Sequence, residues 1–118
     1  MNTIVTRQQR MAQAAFLAVN GRQGSNEYKS FAKSFPSLIH TAGLCQAVAF
    51  AQARRAGSAS QVLEDVFQVY SVSAGVQVVG LDAFAESVRL APVTEYLRLS
   101  RLALQAATWV KRYVEALG

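Results

Sequence analysis

Apolar positions recur along this chain at the three-and-four spacing of helices, and small polar residues stand where helix ends are made. In a first helix, about Val5–Val19, Met11, Ala14, Ala15, Ala18 and Val19 share one face while Arg7, Arg10 and Gln13 look elsewhere. Thr6 and Gln9 have the spacing of a capping box, in which hydroxyl and amide each accept the other's backbone N–H. Asn20-Gly21 predicts the stop, with Arg22–Ser25 as loop. A second helix, Asn26–Phe35, turns Tyr28, Phe31, Ala32 and Phe35 to one side and Lys29, Ser30 and Lys33 to the other. Pro36 is expected to end it or to start another, because it disfavours helical geometry in the residue before it. After a short turn to Gly43, Leu44–Arg55 reads as an Ala-rich helix with Leu44, Ala47, Val48 and Ala51 inward. Arg54-Arg55 lies at its negative end and Gly57 closes it.

Ser58 and Gln61 form a second capping pair, followed at helical spacing by Val62, Leu63, Val66, Phe67 and Tyr70. Val72, Ala74, Val76 and Val78 alternate in a way that also suits a strand. A lone strand in a helical chain has no partner, so helix to about Ala74 and then loop is the reading. Asp82 can cap a short helix Ala83–Leu90, and Pro92 stands near the start of the last helix, Val93–Leu117. That helix is about 25 residues and roughly 37 Å long. Its polar residues follow heptad lines, Arg98, Gln105 and Arg112 beside Arg101, Thr108 and Glu115, so most of its sides are expected to be covered. The pattern predicts an all-α protein: a compact bundle of about six helices with a long C-terminal helix, residues 1–118 forming a single helical domain.

Composition narrows the function. With 52% hydrophobic and 16% charged residues the chain buries a core. One Cys (Cys45) and one His (His40) exclude a disulfide framework, a zinc cluster and any catalytic set needing two such residues. Neither a secretory signal nor a membrane span is legible, which points to the cytoplasm with Cys45 reduced. The formal charge is +5 and unevenly placed: residues 1–57 carry seven Lys/Arg against Glu27 alone, and residues 59–118 five against six acids. A field of that sign attracts polyanions.

Smaller motifs read blandly. His40 and Cys45 lack a third group to orient them as a nucleophile pair. Gly21-Arg22-Gln23-Gly24 matches the GxxG loop of KH domains but lacks flanking strands, leaving only Arg22 as a residue able to touch phosphate. Glu64-Asp65 reads as solvated face, since adjacent helical residues point about 100° apart. Tyr28, in the basic half, is the one aromatic with a case for base stacking. The basic pairs are informative. Lys29 and Lys33 (i, i+4) share a face, as do Arg7 and Arg10 (i, i+3), and a short loop between the two helices is expected to bring both pairs to one surface that holds phosphates without reading sequence.

The run YKSFAKSFPSLIHTAGLCQAVAF, Tyr28–Phe50, resembles the signature of the small helical subunit of type III-B CRISPR effector complexes (the Cmr module), matching at Lys29, Lys33, Pro36, Leu38, Ile39, Gly43, Leu44, Gln46, Ala47 and Phe50. Glu95–Leu117, with its Trp-x-Lys-Arg-aromatic ending, is similar to the last helix of that family, and TRQQRMAQAAF at the start to its first. His40 stands where the family commonly has Arg, and Ser58–Gly80 is richer in valine. The resemblance implies a bundle without enzymatic activity, and no metal site or cofactor is expected. It implies copies stacked head-to-tail in a minor filament opposite the backbone filament of RAMP subunits, with guide RNA and target RNA between the two. On this reading the RNA contacts are Arg10, Lys29, Lys33, Thr41, Gln46, Arg54 and Arg55, and the partners are those RNAs, the other subunits and further copies of the chain. Two readings compete: a helix-turn-helix DNA reader over Leu38–Arg55 with Gly43 at the turn, and a protein-interaction bundle with no nucleic-acid role.

Overall fold

The computed structural model describes residues 5–22, 24–54, 57–74 and 80–117. Six helices account for most of them: α1 (Arg7–Arg22), α2 (Asn26–Ala42), α3 (Leu44–Ala53), α4 (Ser58–Ala74), α5 (Leu81–Leu90) and α6 (Val93–Leu117). No strand occurs among the described residues, and no helix among them is long and apolar enough to cross a membrane. Val76 and Val78, half of the alternating stretch, lie outside the described residues; Val72 and Ala74 are helical, the last turn of α4.

Local chemistry sets most boundaries. The capping box forms: Gln9 N–H donates to Thr6 Oγ1 at 3.0 Å and Thr6 N–H to Gln9 Oε1 at 2.8 Å. Ser25 caps α2, accepting the Tyr28 N–H at 3.2 Å. Gly43, at φ +91°, separates α2 from α3, a backbone conformation that favours glycine. Several boundaries differ from the sequence reading. α1 runs through Gly21 to Arg22, because Arg22 is held by a partner on α4. α2 continues through Pro36: Phe35 and Ile39, on either side of it, are both buried, and this packing outweighs the one backbone bond that proline cannot donate. At the start of α4, Gln61 N–H bonds the Gly57 carbonyl at 3.3 Å while the Ser58 hydroxyl lies 3.4 Å from that of Ser25, so the cap shifts one residue upstream. Gly80 (φ +92°) takes the capping place assigned to Asp82, which falls in the first turn of α5.

Four helices form the body. α6 packs against α1, α2 and α4, and α4 packs against α1 and α2, so α1 and α2 face each other across the α4–α6 pair although they are consecutive in sequence. α3 and α5 pack on each other and on α4. Fully buried alanines (Ala15, Ala32, Ala47, Ala51, Ala103, Ala106, Ala107) line the contact rows and let helix axes approach closely. Met11, Phe35, Leu63, Phe84 and Val110 fill the space between. α6 is the spine, yet its outer side is open: Val93 is 76% and Leu97 63% exposed.

One buried polar group joins three helices. Asp65, in the middle of α4, is 3% exposed. Its carboxylate accepts from Arg22 Nε (3.2 and 3.0 Å) and Nη2 (3.0 Å) at the end of α1, and from the Tyr28 hydroxyl at the start of α2. Arg22 Nη2 also reaches the Gln61 carbonyl at 3.4 Å. A buried carboxylate is tolerated only when paired and hydrogen-bonded in this way. The sequence reading of Asp65 as solvated face is thus corrected, because its partners lie far away in the chain. Gly24 serves the same junction: a Cβ there would stand 2.6 Å from Tyr28 Cδ1, so the GxxG stretch accommodates a buried tyrosine ring.

Arg22→Met removes the cation and leaves Asp65 buried and unpaired, an expected loss of about 3 kcal/mol, the low end for a broken buried pair because Arg22 is a quarter exposed; urea unfolding measures it. Burial first, and then the neighbouring Asp65 carboxylate, push the Tyr28 phenol well above its usual value. The folded state therefore keeps a proton that the unfolded chain releases near pH 10, and stability falls as pH rises through about 10. Tyr28→Phe is expected to flatten that fall in urea midpoints taken between about pH 8 and 11. A shallower slope remains from Tyr70, whose phenol burial also raises.

Candidate nucleic-acid interface

Once Tyr28 points into the bundle, the helical phase of α2 is set. Tyr28, Ala32, Phe35 and Ile39 face the core. The opposite side carries Asn26, Lys29, Ser30, Lys33, Ser34, Ser37, His40 and Thr41, all exposed except the half-buried Lys29. Lys29, Lys33 and His40 fall nearly in line, while Glu27, the one acid of the helix, lies ~160° round from Lys29. Neither lysine has a carboxylate within 4.0 Å among the described residues, where the ion pairs are Arg22 with Asp65 and Glu64, and Arg98 with Glu95. The stripe is therefore a row of free ammonium groups flanked by amide and hydroxyl groups that can bond phosphate oxygens.

Arg54 approaches the same strip from the other flank. Its guanidinium lies 4.7 Å from the Phe50 ring centroid, and Phe50 in turn stacks on Phe31 of α2 (6.0 Å, 5° between planes). A groove of about 560 Å³, bordered also by Glu27, runs between Arg54, Ser58 and Ala59 on one side and Asn26, Ser30 and Ser34 on the other. Those same three α2 residues border the shallow hollow that holds Lys29 and Lys33. The structure thus brings Lys29, Lys33 and Arg54 to one polar strip. Thr41 is exposed at the far end, its hydroxyl donating to the Ser37 carbonyl at 2.8 Å, and Gln46 is exposed on α3. Arg55 lies outside the described residues.

Arg10 does not join them. It donates to the Val5 carbonyl at 3.2 Å and borders an apolar hollow made by Val5, Ala14, Leu17 and Val72, on the α1–α4 side of the bundle. The expectation of one surface for the α1 and α2 basic pairs fails because the two helices stand across the bundle from each other. Tyr28 is 1% exposed and bound to Asp65, which removes it as a stacking platform. Arg22 is committed to the same carboxylate, which by accepting its hydrogen bonds raises the guanidinium pKa further. His40 is exposed on α2 while Cys45 is half-buried in α3, its backbone N–H donating to the Tyr96 hydroxyl at 3.0 Å. Among the described residues no group of three or more His, Cys, Asp or Glu is placed to hold a metal ion.

The geometry also bears on the DNA-reader alternative. A helix-turn-helix joins its helices by a turn of three or four residues; here Gly43 alone separates α2 from α3. The exposed side of α3 is Gln46, Ala49, Phe50 and Ala53, with Gln52 half-buried, which leaves only these two glutamines for hydrogen bonds to base edges.

Comparison with known proteins decides the family. The model of the CRISPR-associated protein family Cas_Cmr5 matches residues 7–117, from the first residue of α1 to the last of α6. The chain belongs to the Cas_Cmr5 family. It is 36% identical over 115 residues to the CRISPR system Cmr subunit Cmr5 of Thermus thermophilus, covering 95% of this chain and 96% of that protein. Its fold matches the X-ray crystal structure of a CRISPR-associated Cmr5 family protein, also from Thermus thermophilus, with a TM-score of 0.83 at 35% identity, over 97% of this chain and 98% of the other. The Cas_Cmr5 fold is thus the all-helical bundle that the periodicity predicts. Within it, the positioning residue that sequence reasoning missed is Asp65, which sets the phase of the lysine stripe through Tyr28.

Proposed function

We propose that this Cas_Cmr5 protein is a non-catalytic subunit of a type III-B (Cmr) CRISPR effector complex and lines the groove that holds guide and target RNA with the outer face of α2. The observation that carries the reading is the lysine stripe: Lys29 and Lys33 stand in line, without carboxylate partners among the described residues, beside Arg54 and a row of hydroxyls. Unpaired cations at this spacing neutralise backbone phosphates and carry no base code, which suits a subunit that must accept every guide. Thr41 and Gln46 extend the strip, and Arg55 follows Arg54 in sequence. Arg10 belongs to a different role on this account.

That role is stacking. An exposed apolar patch (Val5, Leu17, Val72) beside Arg10 lies between α1 and α4. A second (Leu90, Val93, Leu97) lies at the α5–α6 turn, beside a hollow lined by Glu86 and the Glu95–Arg98 ion pair. Two unlike patches, one beside Arg10 and the other beside Glu86, make a heterologous contact, which propagates copy to copy rather than closing into a dimer. Repetition then multiplies a weak RNA contact per subunit into a strong one per filament.

Charge reversal at Lys29 and Lys33 together is expected to weaken binding to every RNA sequence alike. It is expected to reduce the slope of log K against log salt by about 1.4, two single-strand phosphate contacts, in fluorescence anisotropy titrations. An unchanged slope removes the stripe from RNA binding. Leu97→Asp is expected to weaken self-association about tenfold in sedimentation, the equivalent of about 1.5 kcal/mol for one leucine lost from a contact, without changing the melting temperature. Undiminished association places the contact elsewhere.

A further inference from the structure

The long helix α6 carries three cations beyond its paired Arg98 that the strip on α2 does not explain on its own: Arg101, Lys111 and Arg112. They are placed by the pairing of α6 with α2. The two helices run antiparallel: near the start of α6 the Tyr96 hydroxyl accepts from the Cys45 N–H, in the first turn of α3 just past the end of α2, and near the other end of α6 Val114 and Leu117 border a cavity with Lys29. Both helices rise 1.5 Å per residue. Four residues inward from Lys29 on α2 is Lys33, and three inward from Val114 on α6 is Lys111, one turn away on the same side of the helix. Lys33 and Lys111 therefore stand at the same level on opposite walls of the α2–α6 groove, one turn in from Lys29. Arg101, Thr108 and Arg112 follow one another at i, i+7 and i+11 along the outer line of α6, both arginines exposed. None of Lys29, Lys33, Arg101, Lys111 or Arg112 has a carboxylate within 4.0 Å among the described residues.

We infer that α6 supplies the second wall of the RNA site, and that one strand's phosphodiester backbone lies along the α2–α6 groove between Lys29 and Lys33 on one side and Lys111 on the other. This rests on the RNA reading of the α2 stripe and adds residues to it. Like charges facing each other across a groove repel, and a chain of phosphates laid between them removes that repulsion and releases counterions. The apolar stems of Leu104 and Ala107 floor the α6 side near Lys111 and offer no hydrogen bonds to base edges, so the groove grips backbone and ignores sequence. The groove also lies across the bundle from the Arg10 patch, which leaves that patch open for a neighbouring copy while RNA is held.

The test is a salt series of anisotropy titrations of the full chain with labelled oligouridine. It compares wild type, Lys111→Gln, the Lys29→Gln/Lys33→Gln pair and Arg89→Gln, an exposed cation on α5 away from the groove. Lys111→Gln is expected to lower the slope of log K against log salt by about 0.7, one phosphate contact, with an unchanged melting temperature, while Arg89→Gln leaves the slope alone. Equal losses in Lys111→Gln and Arg89→Gln make the effect one of net charge and overturn the inference. A silent Lys111→Gln beside a weakened Lys29→Gln/Lys33→Gln pair overturns the α6 wall and leaves the α2 reading standing. A wild-type chain that binds no RNA at low salt overturns both.

Discussion

The buried carboxylate of Asp65 is the constraint from which the rest of the arrangement follows. Placed in the middle of α4 and closed off from water, it has to be matched by a cation and further donors. Arg22 and Tyr28 provide them from the end of one helix and the start of the next. Well-packed apolar residues often serve stability as well as a buried ion pair does, so what the network contributes is definition. It fixes where α1 ends and, together with the buried Ala32, Phe35 and Ile39, which side of α2 faces inward. Gly24 is part of the same junction, since only a residue without a side chain leaves room for the Tyr28 ring.

Because Tyr28 points in, Lys29 and Lys33 point out. The candidate RNA surface is in this sense a consequence of a core interaction one residue away. The remaining faces divide the work: cations with hydroxyls on α2 and along α6, apolar patches flanked by Arg10 on one side of the bundle and by Glu86 on another. On the proposed reading the α2 stripe and the Arg10 patch stand on opposite sides of the bundle, with the α4–α6 pair between them, while α6 carries both cations and the Val93–Leu97 patch.

Features decided by neighbours in sequence are legible without the structure. The Thr6–Gln9 box, the Gly43 break and the start of α6 after Pro92 depend on groups within a few residues of each other. Lys29 and Lys33 share a face for the same reason. What escapes depends on distant partners. Asp65 next to Glu64 reads as a solvated pair until Arg22 is seen against it, 43 residues away. Pro36 reads as a helix end because its local cost is real, and only the burial of Phe35 and Ile39 outweighs it. Arg10 groups with the lysines in sequence because consecutive helices commonly pack as neighbours, whereas α1 and α2 here each pack on α4 and α6 instead. The opposing position of Lys111 requires the register of two helices most of the chain apart, which no local pattern encodes.

One basic groove, oriented by Asp65, holds an RNA backbone: that is the account's central claim. Formaldehyde crosslinking of the Cmr complex that contains this subunit, followed by mapping of RNA-linked peptides, tests it most directly. The account predicts crosslinks at Lys29, Lys33 and Lys111, with those at Lys29 and Lys33 reduced in a complex carrying Asp65→Ala in a chain that remains helical. Crosslinks confined to other parts of the subunit, or unaltered by Asp65→Ala, contradict it.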